Sequence, residues 1–293
     1  MLYVTIYVML VLQADVIIVD QVSTPLPLLK AGGFPTIFYC HYPDLLLSTS
    51  RTFLKKIYRA PLDYMEEVTT GAANVVLVNS LFTKGVFRDT FTRLGHLSPQ
   101  VLYPSLAMHM FDGKGSRPSD VDDEPNITTF LSINRYERKK NIALAIRAFA
   151  KVERNSARLI VAGGYDSRVE ENVQHFDELV NLAEDLDVID KVIFLRSPSD
   201  HEKVWLLKNS SCLIYTPAGE HFGIVPLESM YCQTPVLAVN SGGPRETVVH
   251  DQTGKNHSRK STFHPKKIIF MFGGKVSLLI FQYSIFKQLL DRP

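Results

Sequence analysis

The sequence predicts an α/β chain made of two parallel-sheet halves, and three observations carry that prediction. Short β-branched runs alternate with helix-period stretches almost throughout, as strand–helix–strand crossovers do. The alternation stops at the polar segment "FDGKGSRPSDVDDEP" (111–125) and restarts beyond it. With 293 residues, 45% of them hydrophobic and 21% charged, the chain has the length for two ordinary domains and the apolar content for a core in each.

Taken in order, the opening "MLYVTIYVMLVLQAD" is apolar almost throughout residues 1–12. A membrane-spanning helix needs about 20 such residues, and the stretch lacks the basic region and small-residue cleavage site of a signal peptide. It reads as a helix that is either buried or laid on a membrane surface. The strands of the first half are "DVIIVD" (15–20), "TIFYC" (36–40), "NVVLVN" (74–79) and "QVLYP" (100–104), giving a first domain over 1–110. Segment 111–125 is rich in Gly, Pro, Ser and Asp and reads as a linker.

The second domain, 126–254, opens with the strand "TTFLSI" and a helix from Asn141 through Ala150, with Asn141 as its cap. The strand "RLIVAGG", a long polar helix over 169–187 and the strand "KVIFL" come next. A helix near Trp205, "SCLIYTP", the helix after Gly223 and "PVLAVN" complete the pattern of a doubly wound sheet. Residues 255–293 form a basic and apolar tail, in which "IIFMFGGKVSLLIFQYSIF" (268–286) has the length of a membrane span but is interrupted by Lys275, Gln282 and two glycines.

Composition excludes several classes. A net charge of +2 with no basic stripe interleaved with aromatics argues against nucleic acid as a partner. Three cysteines, Cys40, Cys212 and Cys232, without a CxxC spacing argue against a disulfide framework or a zinc site and read as buried small apolar residues. "VAGGYD" and "NSGGPRE" lack the GxGxxG spacing, which disfavours a nicotinamide-dependent oxidoreductase.

The chemistry concentrates in "GEHFGIVPLESM" (219–230), where Glu220 and Glu228 stand eight residues apart. On one helix they would be about 80° apart in azimuth and about 12 Å apart along the axis, so a loop must intervene to bring them together. Gly223 permits the turn and Pro226 suits a first helical turn. Glu220 then lies on the loop, Glu228 on the first turn, and the N–H groups after Gly223, beginning with Ile224, favour a phosphate. Earlier, "INRYERKKN" sends Arg135 and Lys140 off the end of a strand, where two cations neutralise a diphosphate, the first by forked hydrogen bonds and the second as a point charge. Glu228 is placed to accept the hydroxyls of a ribose. Ligands of such sheets bind beyond the carboxyl ends of the strands, and "TPAGEHFG" directly follows the strand "SCLIY".

Arg135, Lys140, Glu220, Gly223 and Glu228, the two carboxylates in an E-x7-E arrangement, resemble the retaining glycosyltransferases of family four over residues from about 13 to 254. In the first half, "FYCHYPDLLL" and "YRAPLDYMEEVTTGAANVVLVNSLFT" are similar to eukaryotic dolichol-pathway α-1,3/1,6-mannosyltransferases, as is "VAGGYDSRVEENVQH". The resemblance implies the GT-B fold of two Rossmann-like domains, both incomplete here, with GDP-mannose as donor and Man-GlcNAc2-diphosphodolichol as acceptor. It implies addition of mannose in α-1,3 and then α-1,6 linkage with configuration retained, in assembly of the precursor for protein N-glycosylation. Arg135 and Lys140 take the diphosphate, Gly223 and Ile224 the helix-end phosphate site, Glu228 the ribose, and Glu220 and His41 flank the transferred sugar. No catalytic metal is expected.

By the same resemblance the chain belongs on the cytosolic face of the endoplasmic reticulum membrane, touching its surface through residues 1–12 and joined by other dolichol-pathway mannosyltransferases. The sequons at Asn126, Asn209 and Asn256 would then stay unmodified. No glycine-rich loop precedes "ADVIIVD", and after Gly254 the tail "KNHSRKSTFHPKKIIFMFGG" departs from the family pattern. A second expectation therefore stands beside the first: a shortened, catalytically inactive product that binds only nucleotide or a partner.

Overall fold

A computed structural model of the chain describes residues 2–11, 14–47, 53–122, 124, 126–152, 156–249, 254–257, 269–272 and 275–278. The chain divides into two compact units, Met1–Ser105 and Leu106–Pro293.

The first unit runs α1 (Leu2–Val11), β1 (Ile17–Asp20), α2 (Leu26–Ala31), β2 (Thr36–Cys40), α3 (Asp44–Leu47), α4 (Phe53–Thr70), β3 (Val75–Val78), α5 (Leu81–Thr90) and β4 (Gln100–Val101). Its four strands lie in sequence order, and every pairing is parallel. Alternate strand residues point to opposite faces. Val19, Phe38, Cys40, Val76 and Val78 therefore share one face and pack with Leu26 and Leu29 of α2 and Phe87 of α5. Helix α1 is apolar, yet Tyr3 is 82% and Leu10 80% exposed. Among the described residues, no helix is long and apolar enough to cross a membrane.

The second unit takes in the whole segment 111–125 read from sequence as a linker, and this is a correction. The division falls between Ser105 and Leu106, and residues 111–122 are strapped onto the second unit instead of spanning a gap. Phe111 and Val121 join its core. The Ser116 N–H donates to the His201 carbonyl at 3.0 Å. Lys208 Nζ donates to the Gly113 carbonyl at 2.7 Å, and the Tyr231 hydroxyl to Asp112 Oδ1 at 2.8 Å. The polar composition hid two apolar anchors.

Beyond the strap come β5 (Thr128–Ile133), α6 (Ile142–Phe149), β6 (Ala157–Gly163), α7 (Glu170–Asp185) and β7 (Val192–Arg196). They are followed by α8 (Asp200–Asn209), β8 (Cys212–Tyr215), α9 (Ile224–Tyr231), β9 (Val236–Val239), α10 (Pro244–Thr247) and β10 (Gly254–His257). The strands form one parallel sheet in the order β10-β9-β8-β5-β6-β7. Its central strands are mostly apolar and buried because both faces are covered. Phe130, Leu159, Val161 and Ile214 pack against Ile142 and Ile146 of α6 and Leu179 of α7. Their neighbours Leu131, Ile160, Ala162 and Leu213 face Val204 and Leu207 of α8.

The chain leaves β5 toward β6 and β7, then returns to the other side of β5 to lay down β8 and β9. The crossover reverses between β5 and β8, and such a switch point opens a crevice at the carboxyl ends of the two strands. Beyond this sheet, β11 (Ile269–Phe272) and β12 (Lys275–Leu278) pair antiparallel as a hairpin, so this part of the 268–286 stretch is extended backbone; its remainder lies outside the described residues.

Cys40, Cys212 and Cys232 are free and buried, as their reading as small apolar residues requires. Burial pushes the Cys40 and Cys212 thiols up to about 12.

Candidate functional site

The loops that leave β5 and β8 carry most of the residues singled out in sequence. After β5, the loop 134–141 is pinned from below by Tyr136, whose buried hydroxyl lies 3.0 Å from the Val161 carbonyl and 3.1 Å from that of Leu195. Asn172 Nδ2 donates to the Tyr136 carbonyl at 3.0 Å. Gly163 lets β6 approach this loop: a Cβ there would lie 1.8 Å from the Asn134 carbonyl oxygen. The loop ends in a single 3₁₀ turn, Arg138–Lys140. Asn141 occupies the N-cap position of α6 but does not cap it as expected; its backbone is left-handed (φ 50°) and its side chain accepts no helix N–H.

This anchoring leaves Arg135 reaching outward, 62% exposed, with its guanidinium 2.7 Å from Glu137 Oε1. Lys139 approaches the other Glu137 oxygen at 3.1 Å. Lys140 turns inward. The Thr216 hydroxyl donates to the Lys140 carbonyl at 2.8 Å, tying the β5 loop to the end of β8. Lys140 Nζ sits 2.6 Å from Glu220 Oε2, in a pair whose side chains are only 12% and 20% exposed. The two halves of the sequence pattern, eighty residues apart, thus meet across the switch point.

Glu220 is held by the loop "NSGGP" (240–244), which stood out in the sequence only for lacking the GxGxxG spacing. The Gly243 N–H donates to the Glu220 carbonyl at 2.8 Å, and the Gly219 N–H donates to the Ser241 hydroxyl at 3.0 Å. The contact is backbone against backbone. A Cβ on Gly242 would lie 2.3 Å from the Glu220 carbonyl oxygen, and one on Gly243 2.3 Å from that of Phe222.

Gly223, with φ 79°, is the left-handed residue from which α9 starts at Ile224. Pro226 falls in the first turn. Glu228 is the fifth residue of α9, one place beyond the first turn expected for it, and it is buried. Its partner is Lys203 of α8, whose Nζ lies 2.7 Å from Oε1 and 2.6 Å from Oε2. Nothing in the sequence pointed to Lys203, because the pair joins two helices 25 residues apart. Burial raises the affinity of the Tyr215 phenol for its proton, and the charges of Glu220 and Glu228 add to that effect. The two carboxylates therefore share one neighbourhood at the end of β8.

His41 lies in the first unit, at the end of β2. Its Nε2 is 2.8 Å from Asp20 Oδ1, at the end of β1. Its N–H donates to Gln21 Oε1 at 3.0 Å, and its carbonyl accepts from Asn79 Nδ2 at 3.0 Å. Asp20, Gln21, His41 and Asn79 thus cluster at the carboxyl edge of the first sheet. Asp20 was not foreseen. Among the described residues, no group of three His, Cys, Asp or Glu side chains could hold a metal ion.

The switch-point edge of the second unit thus gathers cations already paired with carboxylates, Arg135 with Glu137 and Lys140 with Glu220. Residues 117–259 match the family model described as glycosyl transferases group 1. The human Alpha-1,3/1,6-mannosyltransferase ALG2 is 48% identical over 268 residues, covering 87% of this chain and 64% of its own length. Its Dictyostelium discoideum counterpart is 44% identical over 264 residues, covering 82% and 62%. The chain thus spans less than two thirds of the length of these relatives. Among solved structures, Anabaena HepE with UDP and glucose superposes with a TM-score of 0.67 at 20% identity, over 88% of this chain and 67% of that one. Sucrose-phosphate synthase from Thermosynechococcus elongatus gives a TM-score of 0.66 at 19% identity, over 83% and 60%. At such identities the two structures speak to the fold alone, which is GT-B. Residues 117–259, within the second unit, are thus similar in sequence to the group 1 glycosyl transferases.

Proposed function

We propose that the chain transfers mannose from GDP-mannose to Man-GlcNAc2-diphosphodolichol, first in α-1,3 and then in α-1,6 linkage, retaining configuration. The observation that carries this reading is the convergence of Lys140 with Glu220 at the switch point, together with 48% identity to an α-1,3/1,6-mannosyltransferase. The donor diphosphate lies against Arg135, Lys140 and the N–H groups at Gly223 and Ile224. Glu228 accepts the ribose hydroxyls. Both cations are ion-paired, so the diphosphate draws Lys140 from Glu220 and Arg135 from Glu137. Glu220 is then released toward the sugar.

The acceptor hydroxyl attacks C1 of mannose on the face from which the phosphate departs. The C1–O bond to phosphate breaks, the new C1–O bond to the acceptor forms, and the acceptor's proton passes to the departing phosphate oxygen. Fixed cations and helix N–H groups stabilise the charge growing on that phosphate, the kind of contribution worth about 3–4 kcal/mol per well-placed donor. The reaction uses no metal. We place the protein on the cytosolic face of the endoplasmic reticulum membrane, where the apolar surface of α1 rests in the interface and the other dolichol-pathway mannosyltransferases are its neighbours.

The test is incubation of the detergent-purified chain with GDP-mannose and a phytanyl-linked acceptor, read by mass spectrometry and linkage-specific mannosidases. One and then two added hexoses, the first α-1,3-linked, is the expected result. Product from UDP-glucose in place of GDP-mannose, or no hexose added, would refute the reading.

A further inference from the structure

We infer that Lys203 is a positioning residue for the ribose of the donor, acting through Glu228. The inference rests on the proposed reading of Glu228 as the ribose acceptor and adds a residue to it. Glu228 is buried, with its side chain 10% exposed, and burying a charge is costly unless it is paired. Lys203 supplies the partner from α8, with one nitrogen in reach of both carboxylate oxygens at 2.7 and 2.6 Å.

The carboxylate retains acceptor capacity. A carboxylate offers about four acceptor positions; the Lys203 ammonium takes one on Oε1, while Oε2, though within ion-pair distance, is buried without a hydrogen-bond partner among the described residues. The unpartnered Oε2 and the second position on Oε1 are the acceptors that a pair of adjacent hydroxyls would use on entering. Because the ammonium touches both oxygens, it also fixes the rotation of the carboxylate about its terminal bond, which otherwise is broad.

The position of Lys203 is itself built. Helix α8 starts in a capping box: the Glu202 N–H donates to the Ser199 hydroxyl at 3.3 Å, and Glu202 Oε2 accepts from the Ser199 N–H at 2.8 Å. That arrangement turns Glu202 back on the helix end. Lys203, whose N–H donates to the Ser199 carbonyl at 2.8 Å, is left to point at α9.

The experiment is titration calorimetry with GDP and with 2′,3′-dideoxy-GDP, and in parallel with UDP and its dideoxy form. Wild type, Lys203→Met, Lys203→Arg, Glu228→Gln and the double variant Lys203→Met/Glu228→Gln are compared. Removing one member of a buried, hydrogen-bonded charge pair costs enough to weaken binding by about thirtyfold. Lys203→Met should therefore lose about that factor for GDP but barely change for dideoxy-GDP, and Lys203→Arg should bind GDP more tightly than Lys203→Met because the charge returns. The double variant buries no isolated charge, so it stays informative even if Lys203→Met does not fold, and it should bind GDP no worse than Glu228→Gln alone. Equal weakening toward GDP and dideoxy-GDP, unchanged GDP affinity in Lys203→Met, or additive losses in the double variant would overturn the inference. The donor is judged separately, by which diphosphate the wild type binds; the role of Lys203 is judged by the ratio between that nucleotide and its dideoxy form.

Discussion

Replacing Gly242 by alanine tests whether the 240–244 loop sets the position of Glu220. Two costs are legible in the structure. Gly242 has φ 67°, and an alanine held in the left-handed region costs about 1–2 kcal/mol. The added Cβ would also lie 2.3 Å from the carbonyl oxygen and 2.7 Å from the nitrogen of Glu220. Those are backbone atoms that no rotamer change can move, and overpacking of this kind costs a further amount of about 1–3 kcal/mol.

Gly219 provides the control in the same loop system: its φ is 66°, and a Cβ added there would meet nothing within 4 Å. Gly219→Ala should carry the conformational cost alone. Gly242→Ala should therefore be less stable than Gly219→Ala by about 1–3 kcal/mol. The chain has a single tryptophan, Trp205, in the second unit, so urea unfolding followed by its fluorescence reports on that unit. Equal destabilisation by the two substitutions would refute the claim that the glycine loop is pressed against Glu220.

Two further expectations follow from the site and the core. Glu220→Gln should lower turnover far more than it weakens GDP binding, because the carboxylate acts on the sugar; steady-state kinetics beside calorimetry checks this, and matched losses would place Glu220 with the nucleotide. The buried thiols of Cys40 and Cys212, both pushed up to about 12, should be inert to a thiol reagent at pH 8 and react once urea unfolds the chain. Rapid labelling of either in the native protein would contradict their burial.

What could be read from the sequence depended on how local each signal was. The strands of the second sheet were visible because "TTFLSI", "RLIVAGG" and "SCLIY" are buried on both faces and so are rich in apolar residues at consecutive positions. Lys140 and Glu220 could be paired in thought because each follows a strand that ends at the same edge. Glu228 was correctly sought on α9, yet its partner Lys203 was invisible, since a contact between two helices leaves no periodicity in either. Segment 111–125 misled for the opposite reason: its polar residues dominate composition, while Phe111 and Val121 carry its apolar contact with the core. Asn141 has the residue type of a cap, but its backbone turns left-handed and points the side chain elsewhere. The Asp20–His41 pair depends on β1 and β2 lying side by side, which alternation implies but no local motif announces.

The claim on which everything else depends is that the carboxyl edge of the second sheet cradles a nucleoside diphosphate, and the affinities of GDP and guanosine for the wild type and for Lys140→Met measure it most directly. Hydrogen bonds from charged groups are worth about 1.5–3 kcal/mol, so Lys140 alone should account for roughly a ten- to hundredfold preference for GDP over guanosine. The account predicts that wild type binds GDP far more tightly than guanosine and that Lys140→Met closes that gap by at least about tenfold, with guanosine affinity little changed. A wild type that binds guanosine as tightly as GDP, or a gap untouched by the substitution, would contradict it.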